Sequence, residues 1–106
     1  MVSTHYSSYF AVDCFYRDQD YVGKDINKNC DDKTDTAKQC QELCQKTAGC
    51  LKFTYITDNY NGPWGIGSRK SCCLKGTLVT SLEQLEGVVS GPRECPGKTL
   101  HMLMIS

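Results

Sequence analysis

The 106-residue chain has no excess of charge of either sign, since twelve Lys and Arg balance twelve Asp and Glu. Nucleic-acid modules neutralise phosphates with a basic face, and polybasic membrane-surface modules need the same surplus. Neither is expected here. The sequence also lacks an apolar run near the length of about 18 residues that a membrane span requires, so no membrane insertion is expected. The apolar tail from Leu100 to Ile105 is far too short. There is no C-x-x-C redox pair, no phosphate-binding glycine loop with its Lys, no calcium loop of alternating acids and no N-x-S/T sequon. Histidine is nearly absent. His5 and His101 lie near the two ends of the chain, so a Ser or Cys nucleophile has no central base to activate it. No enzyme, cofactor or metal is expected. Residues 1–10 are polar and have no apolar stretch of the secretory-leader kind, which implies a mature fragment or a module cut from a longer protein.

What is abundant is cysteine: Cys14, Cys30, Cys40, Cys44, Cys50, Cys72, Cys73 and Cys95. An even count at this density reads as four disulfides and an oxidising compartment. The alternative is a zinc site. Only Cys40 and Cys44 have knuckle spacing, and adjacent Cys72 and Cys73 reach one tetrahedral centre poorly.

Residues 9–16 are aromatic and β-branched and read as a first strand. Residues 18–33 are polar and read as loop, with Ile26 as a core anchor. A helix is expected over residues 36–48. Thr36 and Gln39 match a capping box. Ala37, Cys40, Leu43, Cys44, Thr47 and Ala48 make one apolar stripe, with Gln41 mostly off it, and Gly49 follows as a left-handed cap. Residues 50–56 alternate as a half-buried strand, with Leu51, Phe53 and Tyr55 on one face. Residues 57–68 are Gly- and Asn-rich and read as a long exposed loop. Residues 70–75 and 87–90 read as further strands, the last ended by Gly91-Pro92. One helix followed by several strands is α+β, a single α-helix packed on an antiparallel β-sheet and stapled by disulfides.

Spacing alone does not choose among the possible pairings. If Leu74 faces the helix, Cys72 points the same way and suits Cys40. Cys44 and Cys50 bracket the helix end. Cys73 then faces away and suits Cys30, leaving Cys14 and Cys95 to tie the ends together. In the chain-entropy model the Cys14–Cys95 loop contributes at most about 4.5 kcal/mol and Cys44–Cys50 about 2.4.

Five strings now carry a resemblance: Gly23-Lys24-Asp25-Ile26, Cys40-Gln41-Glu42-Leu43-Cys44, Gly49-Cys50-Leu51-Lys52-Phe53-Thr54-Tyr55, Cys72-Cys73-Leu74-Lys75 and Val88-Val89-Ser90-Gly91. The chain resembles the PAN/apple domain, and Ser90-Gly91-Pro92-Arg93-Glu94-Cys95 looks most like the apple repeats of apicomplexan microneme adhesins. The resemblance covers residues 14–95. It leaves 1–13 as an N-terminal flank holding the start of the first strand, and 96–106 as a C-terminal flank or linker. The family's usual bridges map to Cys14–Cys95, Cys40–Cys72 and Cys44–Cys50. Cys30–Cys73 is a fourth, additional bridge inferred for this chain.

The resemblance implies a secreted, extracellular adhesion module, stored in a microneme-type organelle before release and one of several tandem domains. Its expected partner is a host-cell-surface glycan or protein, or another adhesin subunit. Alternatives are a docking repeat that assembles an adhesin complex without glycan, and a protease-regulatory apple domain with Arg69 as its contact residue. The ligand-binding candidates are Tyr60, Trp64, Arg69 and Lys70. The only Trp sits in a long exposed loop beside an aromatic and two cations, the residue types that stack on sugars and anchor interfaces. The plainer alternative has Trp64 folding back over the core. Arg69, Lys70 and Lys75 form a candidate cluster for sulfated glycans. Tyr6, Tyr9, Tyr16 and Tyr21 are read as core or strand residues, and Asp31-Asp32 as solvated loop acids.

Overall fold

A computed structural model describes residues 13–96. The elements in chain order are β1 (Tyr16–Asp25), a 3-10 turn (Lys28–Cys30), α1 (Ala37–Lys46), β2 (Lys52–Ile56), a second 3-10 turn (Ile66–Ser68) and the long β3 (Cys72–Pro92). The class is α+β, with one α-helix on an antiparallel sheet.

The sheet is organised around β2. One edge of β2 pairs with the start of β3 (Lys52 opposite Lys75, Tyr55 opposite Cys72), and the other edge pairs with its end (Lys52 opposite Pro92, Ile56 opposite Val88). In both ladders the numbers run in opposite directions, so both are antiparallel. A straight strand of 21 residues would span roughly 70 Å. Both ends of β3 instead meet the same five-residue strand, so its middle curls over β2. β1 follows that curl, antiparallel to β3 from Tyr16–Ser90 to Asp25–Lys75, with register shifts at three places. Bulges of this kind are what let a ribbon bend. Asp18, at the first shift, takes a φ of 61°.

Because the ribbon passes over one face of β2 and α1 packs on the other, β2 is buried on both. Phe53, Thr54, Tyr55 and Ile56 are all at or below 4% exposure. This corrects the half-buried alternation expected for residues 50–56, and Leu51, placed with Phe53 and Tyr55, is exposed. Thr54 is the polar pin of the crossing. Its hydroxyl accepts from the Tyr21 amide (3.1 Å) and donates to Ser90 Oγ (2.7 Å), which donates to the Gln19 carbonyl (2.6 Å).

α1 starts where the capping box places it. Thr36 Oγ1 accepts from the Gln39 amide at 3.1 Å. The reciprocal bond is displaced by one residue, with the Gln39 side chain accepting from the Asp35 amide. The helix ends at Lys46, two residues before the expected 48, and Gly49 lies beyond the cap with a φ of 83°. Gln41 is not off the buried face. It is 4% exposed and donates to the Pro92 carbonyl, closing the helix against the end of β3. Arg93 closes it further, donating to the carbonyls of Cys44, Gln45, Thr47 and Cys50. Cys44 and Gln45 belong to the last turn, Thr47 is its cap and Cys50 lies just beyond, so the guanidinium gathers the carbonyls around the helix end and suits the negative end of its dipole.

Four disulfides join Cys14–Cys95, Cys30–Cys73, Cys40–Cys72 and Cys44–Cys50. Cys40, Cys44, Cys50 and Cys72 sit in one core cluster with Phe53, Tyr55 and Leu74, with Phe15 edge-on to Phe53 at 5.2 Å. Ile56, Tyr60, Cys73 and Val88 form a second, smaller cluster.

The loop expected over residues 18–33 and the core place expected for Ile26 are corrected in the first half. The strand expected at residues 9–16 lies largely outside the described residues, and β1 begins at Tyr16. Eight of its ten residues, 18–25, fall in the stretch read as loop. That stretch is polar because the ribbon is mostly solvated, and only Tyr21 of β1 is buried. Ile26 does not anchor the core but is 42% exposed, and its backbone amide, which donates to the Leu74 carbonyl, is what holds it. The strand expected from residue 70 begins at Cys72, and the segments read as separate strands are the two ends of β3.

Candidate functional site: the Trp64 loop

The loop over residues 57–71 leaves β2 and returns to β3. Its base is tied by backbone bonds from Lys70 to the Ile56 carbonyl (2.6 Å) and from Ile56 to the Ser71 carbonyl (2.9 Å). Tyr60 is its keystone. The side chain is wholly buried, and its hydroxyl accepts from the Trp64 amide at 3.0 Å. The backbone folds tightly around it. A Cβ on Gly62 would lie 2.4 Å from the Tyr60 hydroxyl, and one on Gly87 would lie 2.7 Å from Tyr60 Cα. Glycine at these two positions is what lets the loop close over the ring.

Trp64 stacks on Tyr60 with ring centroids 5.5 Å apart and planes 28° from parallel. One face is thus supported while half of the side chain remains exposed (50%), beside Ile66 at 69%. The loop therefore presents an apolar tip on a rigid base. The plainer expectation, Trp64 folded back as a core cover, holds only for one face of the ring.

The other expected binding residues do not converge on that tip. Tyr60 is inaccessible. Arg69 holds the loop from within, donating from Nε to the Tyr60 carbonyl (2.8 Å) and from a terminal nitrogen to Asn61 Oδ1 (2.7 Å). Lys70, at a φ of 71°, pairs with Asp35 at 3.6 Å. Lys33 reaches across to the Gly67 and Arg69 carbonyls.

The cationic cluster expected of Arg69, Lys70 and Lys75 does not form. Lys75 is 6% exposed beneath the β1 ribbon, 2.5 Å from Asp25 and bonded to the Gly23 carbonyl. Nearby Asp20 has its carboxyl pushed above the usual range, chiefly by burial, with Lys75 pulling the other way. Lys52 caps the same crossing, 4.7 Å over the Tyr21 ring. Tyr16 stands exposed and edge-on to buried Tyr21. Asp31 and Asp32 are exposed loop acids, and Asp32 accepts from the Asn27 side chain. Tyr6, Tyr9, His5 and His101 lie outside the described residues.

Among the described residues, suitable atoms for a metal gather at one place, and a ligand set is not available there. Asp25, Cys30 and Cys73 lie within 4.8 Å of one another, but the two sulfurs are bonded to each other and carry no thiolate. Among the described residues no helix is long and apolar enough to cross a membrane.

Sequence reasoning missed a cleft behind the loop. It holds about 520 Å³ and is lined by residues that include Arg17, Asp18, Asn59, Asn61, Glu86 and Gly87. Arg17 grips Asp13 with two bonds (2.9 and 3.1 Å) and so holds that carboxyl below its usual range. No local pattern signals the cleft, because β1, the loop and β3 each contribute a part.

A family model described as the PAN domain matches residues 19–75, more than half of the chain. The match runs from β1 through the helix and β2 to the start of β3. It takes in Cys30, Cys40, Cys44, Cys50, Cys72 and Cys73, and the whole Trp64 loop. The chain belongs to the PAN domain family, which points to an extracellular module of adhesion or protein interaction rather than to an enzyme.

Proposed function

We propose that this chain is a non-catalytic recognition module of a secreted, microneme-type adhesin, that it grips a partner protein through the Trp64 loop, and that it works as one of several tandem copies. The observation that carries the reading is the half-exposed Trp64, stacked on buried Tyr60, beside the still more exposed Ile66. Contiguous exposed apolar patches mark interaction sites, and aromatic anchors dominate interface energetics. Arg69 and Lys70 are occupied within the domain, so few polar groups converge at the tip to bond sugar hydroxyls. One observation favours a glycan as the second reading: the free face of Trp64 is available to a sugar ring.

Weak single sites gain strength through multiple copies. The test therefore displays the oxidised domain as a tetramer and measures binding to cells and to a glycan array. The reading predicts cell binding that surface proteolysis abolishes, with a blank array. Selective binding to one sugar class, insensitive to proteolysis, would replace it with the glycan reading.

A further inference from the structure

The cleft behind the loop has a charge imbalance that the fold leaves open. Its one cation, Arg17, is committed to Asp13 through both terminal nitrogens. Its two acids are not balanced in this way. Among the described residues neither Asp18 nor Glu86 forms an ion pair, and both are exposed. Asp18 uses one oxygen, Oδ1, to accept from the Gly87 amide at 2.9 Å. That bond fixes the carboxylate at the cleft wall and leaves Oδ2 available. Gly87 contributes no side chain to the floor. Asn59 and Asn61 of the loop also line the cleft, and Asn61 accepts from Arg69. The cleft and the Trp64 loop therefore share a wall.

From this arrangement we infer that the cleft receives a lysine or arginine side chain of the partner protein that docks on Trp64. The inference rests on the protein-docking reading above and names the chemistry of the residue next to its apolar anchor. An anion would have to displace Asp13 from Arg17 and would face two carboxylates. A cation meets Asp18 and Glu86 with no internal competitor. The volume lies in the range of side-chain and small-ligand sites. Charged pairs of this kind at the rim of an apolar contact set partner choice and speed the encounter.

The test uses N-acetyl-arginine methylamide and N-acetyl-lysine methylamide as probes in a titration of the ¹⁵N-labelled oxidised chain, followed by amide NMR shifts. N-acetyl-norleucine methylamide and lactose are the controls. The expected result is saturable shifts at Asp18, Asn59, Asn61 and Gly87 with the cationic probes only, weakened by added salt. Asp18→Asn keeps an oxygen for the Gly87 amide and tolerates the positive φ. Combined with Glu86→Gln it removes the charge without removing that support. This double variant is expected to bind the probes at least about fivefold more weakly. Equal shifts with lactose, or cationic shifts spread over other acids and unchanged in the double variant, would overturn the inference. Trp64 touches no probe in this experiment. A failed titration therefore counts against the cleft alone, whereas partner binding that survives Trp64→Ala counts against the docking reading.

Discussion

The helix side of β2 and the loop that leaves its end are stabilised by different means. On the helix side, two disulfides join residues with no exposure at all, around Phe53 and Leu74. In the loop, no disulfide lies within residues 57–71; Cys30–Cys73 borders the cluster around Tyr60, and the segment itself is ordered by one buried ring, a guanidinium and two close glycine approaches. Covalent bonds thus fix the small core, which a domain of this size needs. The recognition loop is fixed by packing, which leaves its tip free of structural duty. The difference separates what folds the chain from what the chain presents.

The sharpest way to break that contrast is at Tyr60. Tyr60→Ala removes the ring that fills the second cluster and supports Trp64. It is expected to cost about 4 kcal/mol in urea unfolding of the oxidised protein, as a large buried aromatic does. A cost below about 1 kcal/mol would mean the loop is ordered by something else. The covalent side gives a slightly smaller effect. Replacing Cys40 and Cys72 by Ala releases a loop of sequence separation 32. It is expected to cost about 3.5 kcal/mol by chain entropy while leaving the secondary structure in place.

Arg93→Ala comes next, at about 2 kcal/mol, because the carbonyls of Cys44, Gln45, Thr47 and Cys50 all lose the guanidinium that gathers them. Amide exchange should quicken at the last turn of the helix first. Protection that falls evenly along α1 would argue against a capping role.

Asp20 gives a pH-dependent and smaller effect. Its carboxyl is raised in the folded state, so the fold binds that proton more tightly than the unfolded chain does. The charged form weakens the fold above the raised value, and the cost fades as pH falls towards the ordinary 3.8. Asp20→Asn should therefore raise the melting temperature at pH 7, with the gain disappearing below about pH 4. A loss at pH 7 would mean that attraction to Lys75 outweighs burial.

How far these features can be read from the sequence follows the range of the forces involved. The helix is legible because its signals are local: Thr36 and Gln39 at its start and Cys40 and Cys44 one turn apart. The cysteine partners follow once the faces of α1 and of the strand at Leu74 are set. β1 is not legible. Asp18, Asp20, Lys24 and Asp25 look like loop, and they become a strand only because β3 runs beside them. The stretch over residues 76–86 is unread for the reciprocal reason. At the site, Trp64 stands out as a lone aromatic among glycines. The fates of Arg69, Lys70 and Lys75 do not, since a sequence names cations without saying which carboxylate or carbonyl has already taken them. Tyr60 is misread for a similar reason, because only the closeness of Gly62 and Gly87 reveals a ring that is enclosed rather than offered.

The most direct measurement pairs stability with binding in the Trp64→Ala, Ile66→Ser variant of the oxidised chain. The account predicts unfolding free energy within about 1 kcal/mol of the parent, an unchanged NMR fingerprint outside the loop, and loss of tetramer binding to cells. Undiminished binding by this folded variant would contradict it and move the recognition surface away from the Trp64 loop.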